Sequence, residues 1–223
     1  MRLTSLDKKR LYRRIKASDN RGMTEYDLIA NHFANTLQSV AEQVDSLAPA
    51  IEATGSLMAD TLLRDGKLIL CGLGPDAAAA QLLTTYLISR FELERPALPA
   101  INLAQGSSTT TGVIGASGAN DLFSRQIKAL GRPEDTLVCI ASQQSHTALL
   151  RAIQTAHEID MAVVLLCNHE LGDLSSLMSG NDASITIQGD RASTVFELQI
   201  MCIHRLIELI EHTLFFNNMD GNL

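Results

Sequence analysis

At 223 residues the chain has room for one three-layer domain with a buried core, and no apolar run approaches the roughly 20 residues a membrane span needs. Cys71, Cys139, Cys167 and Cys202 lie far apart with no CxxC pair, which argues against a disulfide framework or a structural zinc site and for buried, reduced thiols. The net charge of -7 hides an asymmetry: residues 1–21 hold eight Lys or Arg against Asp7 and Asp19, leaving 10 basic and 23 acidic residues, a balance of -13, in the remainder. Such a body repels nucleic acid, so no direct nucleic-acid binding is expected outside the basic segment.

Residues 1–22 read as a basic, disordered leader, or as the product of a start codon assigned too early, with Met23 opening the domain. They lack the apolar core and cleavage site of a secretory signal, so a cytoplasmic location is expected. From Met23 onward, Ile29, Phe33, Leu37, Val40, Val44 and Leu47 recur at steps of three and four, one face of an amphipathic helix. Pro49 is expected to break it, and Ile51, Leu57, Met58, Leu62 and Leu63 to form a second helix ending at Asp65-Gly66, which gives an N-terminal helical hairpin.

Short apolar runs then alternate with helix-period stretches. Strands are predicted at 67–71, 98–103, 136–141, 162–167 and 183–187, with helices near 77–90, 119–130, 145–157, 171–178 and 193–215. Near-continuous apolar strands separated by helices indicate a five-stranded parallel sheet covered on both faces, a three-layer α/β/α domain.

Ligands of such sheets bind where loops leave the carboxyl ends of the strands. One such loop, Gly72-Leu73-Gly74-Pro75-Asp76, resembles an anion cradle at a helix N-terminus, but Ala77 replaces the third glycine and Asp76 places a negative charge where a phosphate belongs. The plainer reading makes Asp76 the cap of a helix beginning at Ala77. The second, Ala141-Ser142-Gln143-Gln144-Ser145-His146-Thr147, offers three hydroxyls to an anion, although Ser145 or Thr147 as an ordinary N-cap explains much of it. Ser145 and His146 are neighbours with no Asp partner identifiable, so no hydrolytic triad is read here.

Arg90 to Ile101, Phe123 to Gly131 and the Leu206 to Phe215 helix resemble the phosphoheptose isomerase branch of sugar isomerase (SIS) domains, which includes the DnaA initiator-associating proteins. The resemblance runs in order from about Tyr26 to Phe215 and assigns 23–223 to one SIS domain. It implies a five-stranded parallel sheet, an N-terminal helical hairpin used in assembly, and a homotetramer.

The active-site motifs depart from the family pattern. The family's first phosphate loop, GNGGS or GNGTS, falls on Gly72 to Asp76, and its second, STSGNS, on Ala141 to His146, where only Ser142 keeps a hydroxyl among the first three positions. A candidate phosphosugar pocket therefore comprises Gly74, Asp76, Ser142, Ser145, His146 and Thr147. The metal and acid–base positions fall on Leu82, Tyr86, Phe196 and His204, and the family's Asn-Asp after the second strand on Gly115-Ala116. Aldose–ketose isomerisation needs a positioned base and acid, commonly with a metal. Leu82 and Phe196 cannot ligate a metal and a phenol is a poor base at neutral pH, so neither catalytic residues nor a metal or other cofactor is expected. A helix-face set of His204, Glu208 and His212 is geometrically conceivable.

The reading that follows is a non-catalytic, tetrameric SIS scaffold that binds the replication initiator DnaA through Leu214 and Phe215 and regulates the initiation of replication. The alternatives are a sedoheptulose 7-phosphate isomerase and a phosphosugar-sensing domain.

Overall fold

A computed structural model describes residues 22–189 and 191–216; the basic leader expected over 1–22 lies outside the described residues except for Gly22. In chain order the elements are α1 (Glu25–Leu63), β1 (Leu68–Gly72), α2 (Pro75–Ile88), β2 (Ala100–Asn102), α3 (Ser107–Ser117), α4 (Ser124–Leu130), β3 (Thr136–Ala141), α5 (Thr147–Glu158), β4 (Ala162–Asn168), α6 (Gly172–Ser175), β5 (Ala183–Ile187) and α7 (Ala192–Glu211). A 3₁₀ turn at Ala119–Asp121 precedes α4, and a π turn at His212–Phe216 follows α7. No helix among the described residues is long and apolar enough to cross a membrane.

Two compact units divide the chain after Ala41. In the first, Thr24 caps α1: its backbone N–H and hydroxyl donate to Asp27 Oδ2 at 2.9 and 2.7 Å, while Asp27 N–H donates to the Thr24 hydroxyl at 3.1 Å. This is a reciprocal capping box with Asp at the third position, and the two Thr24 donors hold the Asp27 carboxyl below its usual range. The expected hairpin is absent, because α1 runs unbroken through Pro49. Proline removes one backbone hydrogen bond and crowds the preceding turn, at a cost of about 3 kcal/mol. Pro49 is exposed, so the freed carbonyl reaches water, and the apolar spacing resumes at once with Ile51, Thr54, Met58 and Ala59, the last three fully buried.

In the second unit the sheet is wholly parallel with the order β2-β1-β3-β4-β5. β1 and β3 are buried along their whole length, as both-face coverage requires, and register Leu68 with Thr136 and Cys71 with Cys139. On one face β1, β3 and β4 pack on Phe123 and Ile127 near and within α4 and on Leu149 and Ile153 of α5. All four cysteines are buried free thiols; burial pushes Cys202 up to about 11, and a hydrogen bond with Cys71 together with burial pushes Cys139 well above the ordinary thiol range. They pack as small apolar groups.

α3 is an element that periodicity did not predict. Its sequence, SSTTTGVIGAS, has low helix propensity and no apolar stripe, and none of its residues is buried. The predicted helix over 119–130 divides instead into the 3₁₀ turn and α4.

Candidate functional site

The strand order reverses between β1 and β3: β1 leads to β2 on one side, and the chain returns to place β3 on the other. A crevice opens at the carboxyl ends of strands at such a point. The first loop enters it through two glycines. A Cβ on Gly72 would lie 2.6 Å from the Asp76 carbonyl, and Gly74 has φ +58°. A side chain is excluded at the first position by close approach and disfavoured at the second by the left-handed backbone.

Asp76 is not the helix cap expected from sequence. α2 begins earlier, with Gly74 as its N-cap, Pro75 in the first position and no side-chain cap bond. The Asp76 carboxylate points across the crevice instead, where Oδ2 accepts the Ser142 backbone N–H at 2.9 Å. Asp76 is 5% exposed and Ser142 fully buried. Among the described residues Asp76 Oδ1, Ser142 Oγ and Ser145 Oγ are all buried without a hydrogen-bond partner. Burial pushes the Asp76 carboxyl above its ordinary range, opposed by the bond from Ser142 and the nearby His146.

The second loop also departs from its expected capping. α5 starts at Thr147 with His146 as N-cap in extended conformation and no side-chain bond to the helix, so neither Ser145 nor Thr147 caps it. His146 and Thr147 are exposed at the rim, whereas Ser142 and Ser145 place their hydroxyls inside. The structure thus joins Asp76 to Ser142 directly, and Gly74 serves through its backbone conformation alone.

A second cluster is built where α2 meets α7. The Tyr86 and His204 ring centroids are 5.7 Å apart, Phe91 stacks on His204 at 5.6 Å, and Phe91 meets Tyr86 edge-on at 4.8 Å. A buried ion pair fixes the segment that carries Phe91. Arg95 Nε donates to Glu211 Oε1 at 2.8 Å, its other nitrogens donate to the Tyr86, Leu87 and Pro96 carbonyls, and Glu211 also accepts the Phe91 N–H at 3.3 Å. Sequence reasoning did not find this lock, because Arg95 and Glu211 are far apart in the chain and each looks like an ordinary surface charge. Leu82 and Phe196, the other two positions implied by the sequence resemblance, are half-buried. Ten residues of α2 separate Asp76 from Tyr86, about 15 Å along its axis.

Leu82 and Phe196 offer no donor atom, so the positions at which the sequence resemblance implies a metal do not fit one. Among the described residues no three His, Cys, Asp or Glu side chains gather closely enough to hold one. Leu214 and Phe215 lie half-buried in the π turn beyond α7.

Residues 32–168 match the SIS domain family model. Phosphoheptose isomerases from Chromohalobacter salexigens and Alkalilimnicola ehrlichii are 35% and 34% identical over 187 and 193 residues, spanning 84% and 86% of this chain and 95% and 98% of theirs. The chain belongs to the phosphoheptose isomerase family of SIS domains. The solved phosphoheptose isomerase of Francisella tularensis superposes with a TM-score of 0.82 at 31% identity, covering 85% of this chain and all of that one. That of Neisseria gonorrhoeae gives 0.78 at 29%, covering 84% and 99%. Membership at this identity and coverage overturns the expectation of a non-catalytic scaffold for DnaA. These relatives are named phosphoheptose isomerase, and the substitutions at the helix positions Leu82, Tyr86 and Phe196 were the wrong ground on which to set catalysis aside.

Proposed function

We propose that this protein is a sugar-phosphate isomerase of the phosphoheptose class, converting sedoheptulose 7-phosphate to its aldose. The observation that carries the reading is similarity over 84–86% of this chain to relatives of that name. The side-by-side placement of Tyr86 and His204 supports it. In this reading the His204 imidazole takes a proton from C1 of the ketose and returns it to C2, while the Tyr86 hydroxyl relays a proton between the two oxygens, with Phe91 as an apolar wall. Asp76 and Tyr86 stand far enough apart along α2 to suit an extended seven-carbon sugar phosphate better than a short one. A cytoplasmic setting agrees with four unpaired thiols. Self-association as a homotetramer agrees with the apolar residues that α1 leaves open, Ile29, Phe33 and Leu37 at 59%, 66% and 70% exposed.

The test is turnover of sedoheptulose 7-phosphate by the intact chain. Conversion by the wild type that falls at least about a hundredfold in His204→Ala is expected for loss of a general base; a wild type without turnover at any substrate concentration would sink the reading. A second reading, binding of a sugar phosphate without conversion, is favoured by the apolar Leu82 and Phe196 at the family's catalytic positions. Calorimetry showing tight binding with no turnover would decide for it.

A further inference from the structure

We propose that Asp76 is a built-in occupant of the phosphate crevice, a specificity-determining residue whose carboxylate holds the Ser142 amide that a substrate phosphate would otherwise use. The proposal rests on the sugar-phosphate reading and deepens it. An incoming phosphate has to displace this internal anion before it can bind.

Three observations converge. The Asp76–Ser142 bond spans the β1/β3 reversal, the place in the sheet where ligands enter. The bond is made at the start of a 14-residue helix, whose N-terminal amides attract an anion. Ser142 Oγ and Asp76 Oδ1 belong to the two residues that make this bond, and among the described residues both atoms are buried without a hydrogen-bond partner, an arrangement that costs stability and is kept where a ligand completes it. Among the described residues Asp76 neither caps its helix nor forms an ion pair with a basic side chain, so nothing beyond its link to Ser142 explains it as a structural brace.

An anionic ligand and an ionised Asp76 cannot share the crevice, because like charges at hydrogen-bonding distance repel strongly in a poorly solvated site. Binding is therefore favoured by whatever neutralises Asp76 or moves it outward, and the exposed Gly74-Pro75 turn beside it gives the side chain a route to solvent. The groups that face Asp76 are the exposed His146 from the second loop and the buried Cys139 thiol from β3, which stays protonated.

The probe is inorganic sulfate, which stays a dianion between pH 5 and 8, measured by calorimetry on the intact chain and on Asp76→Ser and Asp76→Asn. Wild-type affinity is expected to rise as pH falls, and both variants to bind about tenfold or more tightly at neutral pH with a flatter pH profile. Asn keeps the shape of the carboxylate and its acceptor, so it guards against misfolding of the Ser variant, and His146 is present in all three chains. Variants that bind sulfate no more tightly than the wild type, including no detectable binding by any chain, overturn the proposal. That outcome is separate from the turnover assay on His204→Ala, which alone bears on the isomerase reading.

Discussion

The two ends of β1 and β3 each carry a buried aspartate, and the two are treated in opposite ways. At the amino ends Asp135, 3% exposed, accepts from the Lys67 and Arg132 backbone N–H groups, each at 2.9 Å, and pairs with the Lys67 ammonium, while the Thr61 and Thr136 hydroxyls bond to each other at 2.6 Å. At the carboxyl ends Asp76 has one amide donor and, among the described residues, an orphaned oxygen, while the second loop carries two orphaned hydroxyls. A buried charge with its partners complete ties strands together. A buried charge with partners missing marks where the chain holds itself open for something else. One fold thus uses the same residue type beside the same pair of strands as a brace at one end and as part of a site at the other.

The comparison is broken most severely at the brace. Asp135→Ala would leave the Lys67 ammonium and two amides without their acceptor, and removing one member of such a buried pair costs about 3 to 5 kcal/mol. A fall of roughly 10 °C in Tm is expected, read by calorimetry or circular dichroism. A fall of only a degree or two would mean that Asp135 is no more a brace than Asp76.

How much of this was legible in the sequence differs between the two ends for the same reason. Strands rest on local patterns: Thr136–Ala141 and Ala183–Ile187 fall where the apolar runs predict them, and the other three strands differ by one or two residues at an end. Pro49 misled because the propensity of one residue was weighed above the apolar period that continues past it. α3 was missed because an exposed helix of Ser, Thr and Gly carries no period to read. Within the site, the loops were legible as loops, but the Asp76–Ser142 and Arg95–Glu211 links join residues 66 and 116 positions apart, and no spacing rule reaches that far. The local rule for an Asp before a helix, capping, gave the wrong partner at Asp76.

A subtler contrast lies in the response to pH. Asp76 has its carboxyl raised above the ordinary value by burial, so the folded chain holds this proton more firmly than the unfolded chain does. Stability from this group is fully present below the ordinary aspartate pKa and declines as pH rises through the window up to the raised value. Asp76→Asn does not titrate, so its stability relative to the wild type is expected to improve as pH rises from about 4 toward neutrality. Urea midpoints at a series of pH values measure the difference. A constant offset between the two chains would show that burial does not perturb Asp76.

The smallest effect is expected at Ser145, and its smallness is informative. Its hydroxyl is buried and unpartnered, so Ser145→Ala removes a desolvated polar atom without breaking any bond in the folded chain. The Tm should stay within about a degree of wild type or rise slightly, since substitutions that break no bond and leave no large cavity usually fall within about 0.5 kcal/mol. A loss of 2 kcal/mol or more would mean that the hydroxyl already has a partner in the folded protein, such as an ordered water shared with Asp76 Oδ1. The crevice would then be internally satisfied like the opposite end of the strands, and the contrast between brace and site would rest on Asp76 alone.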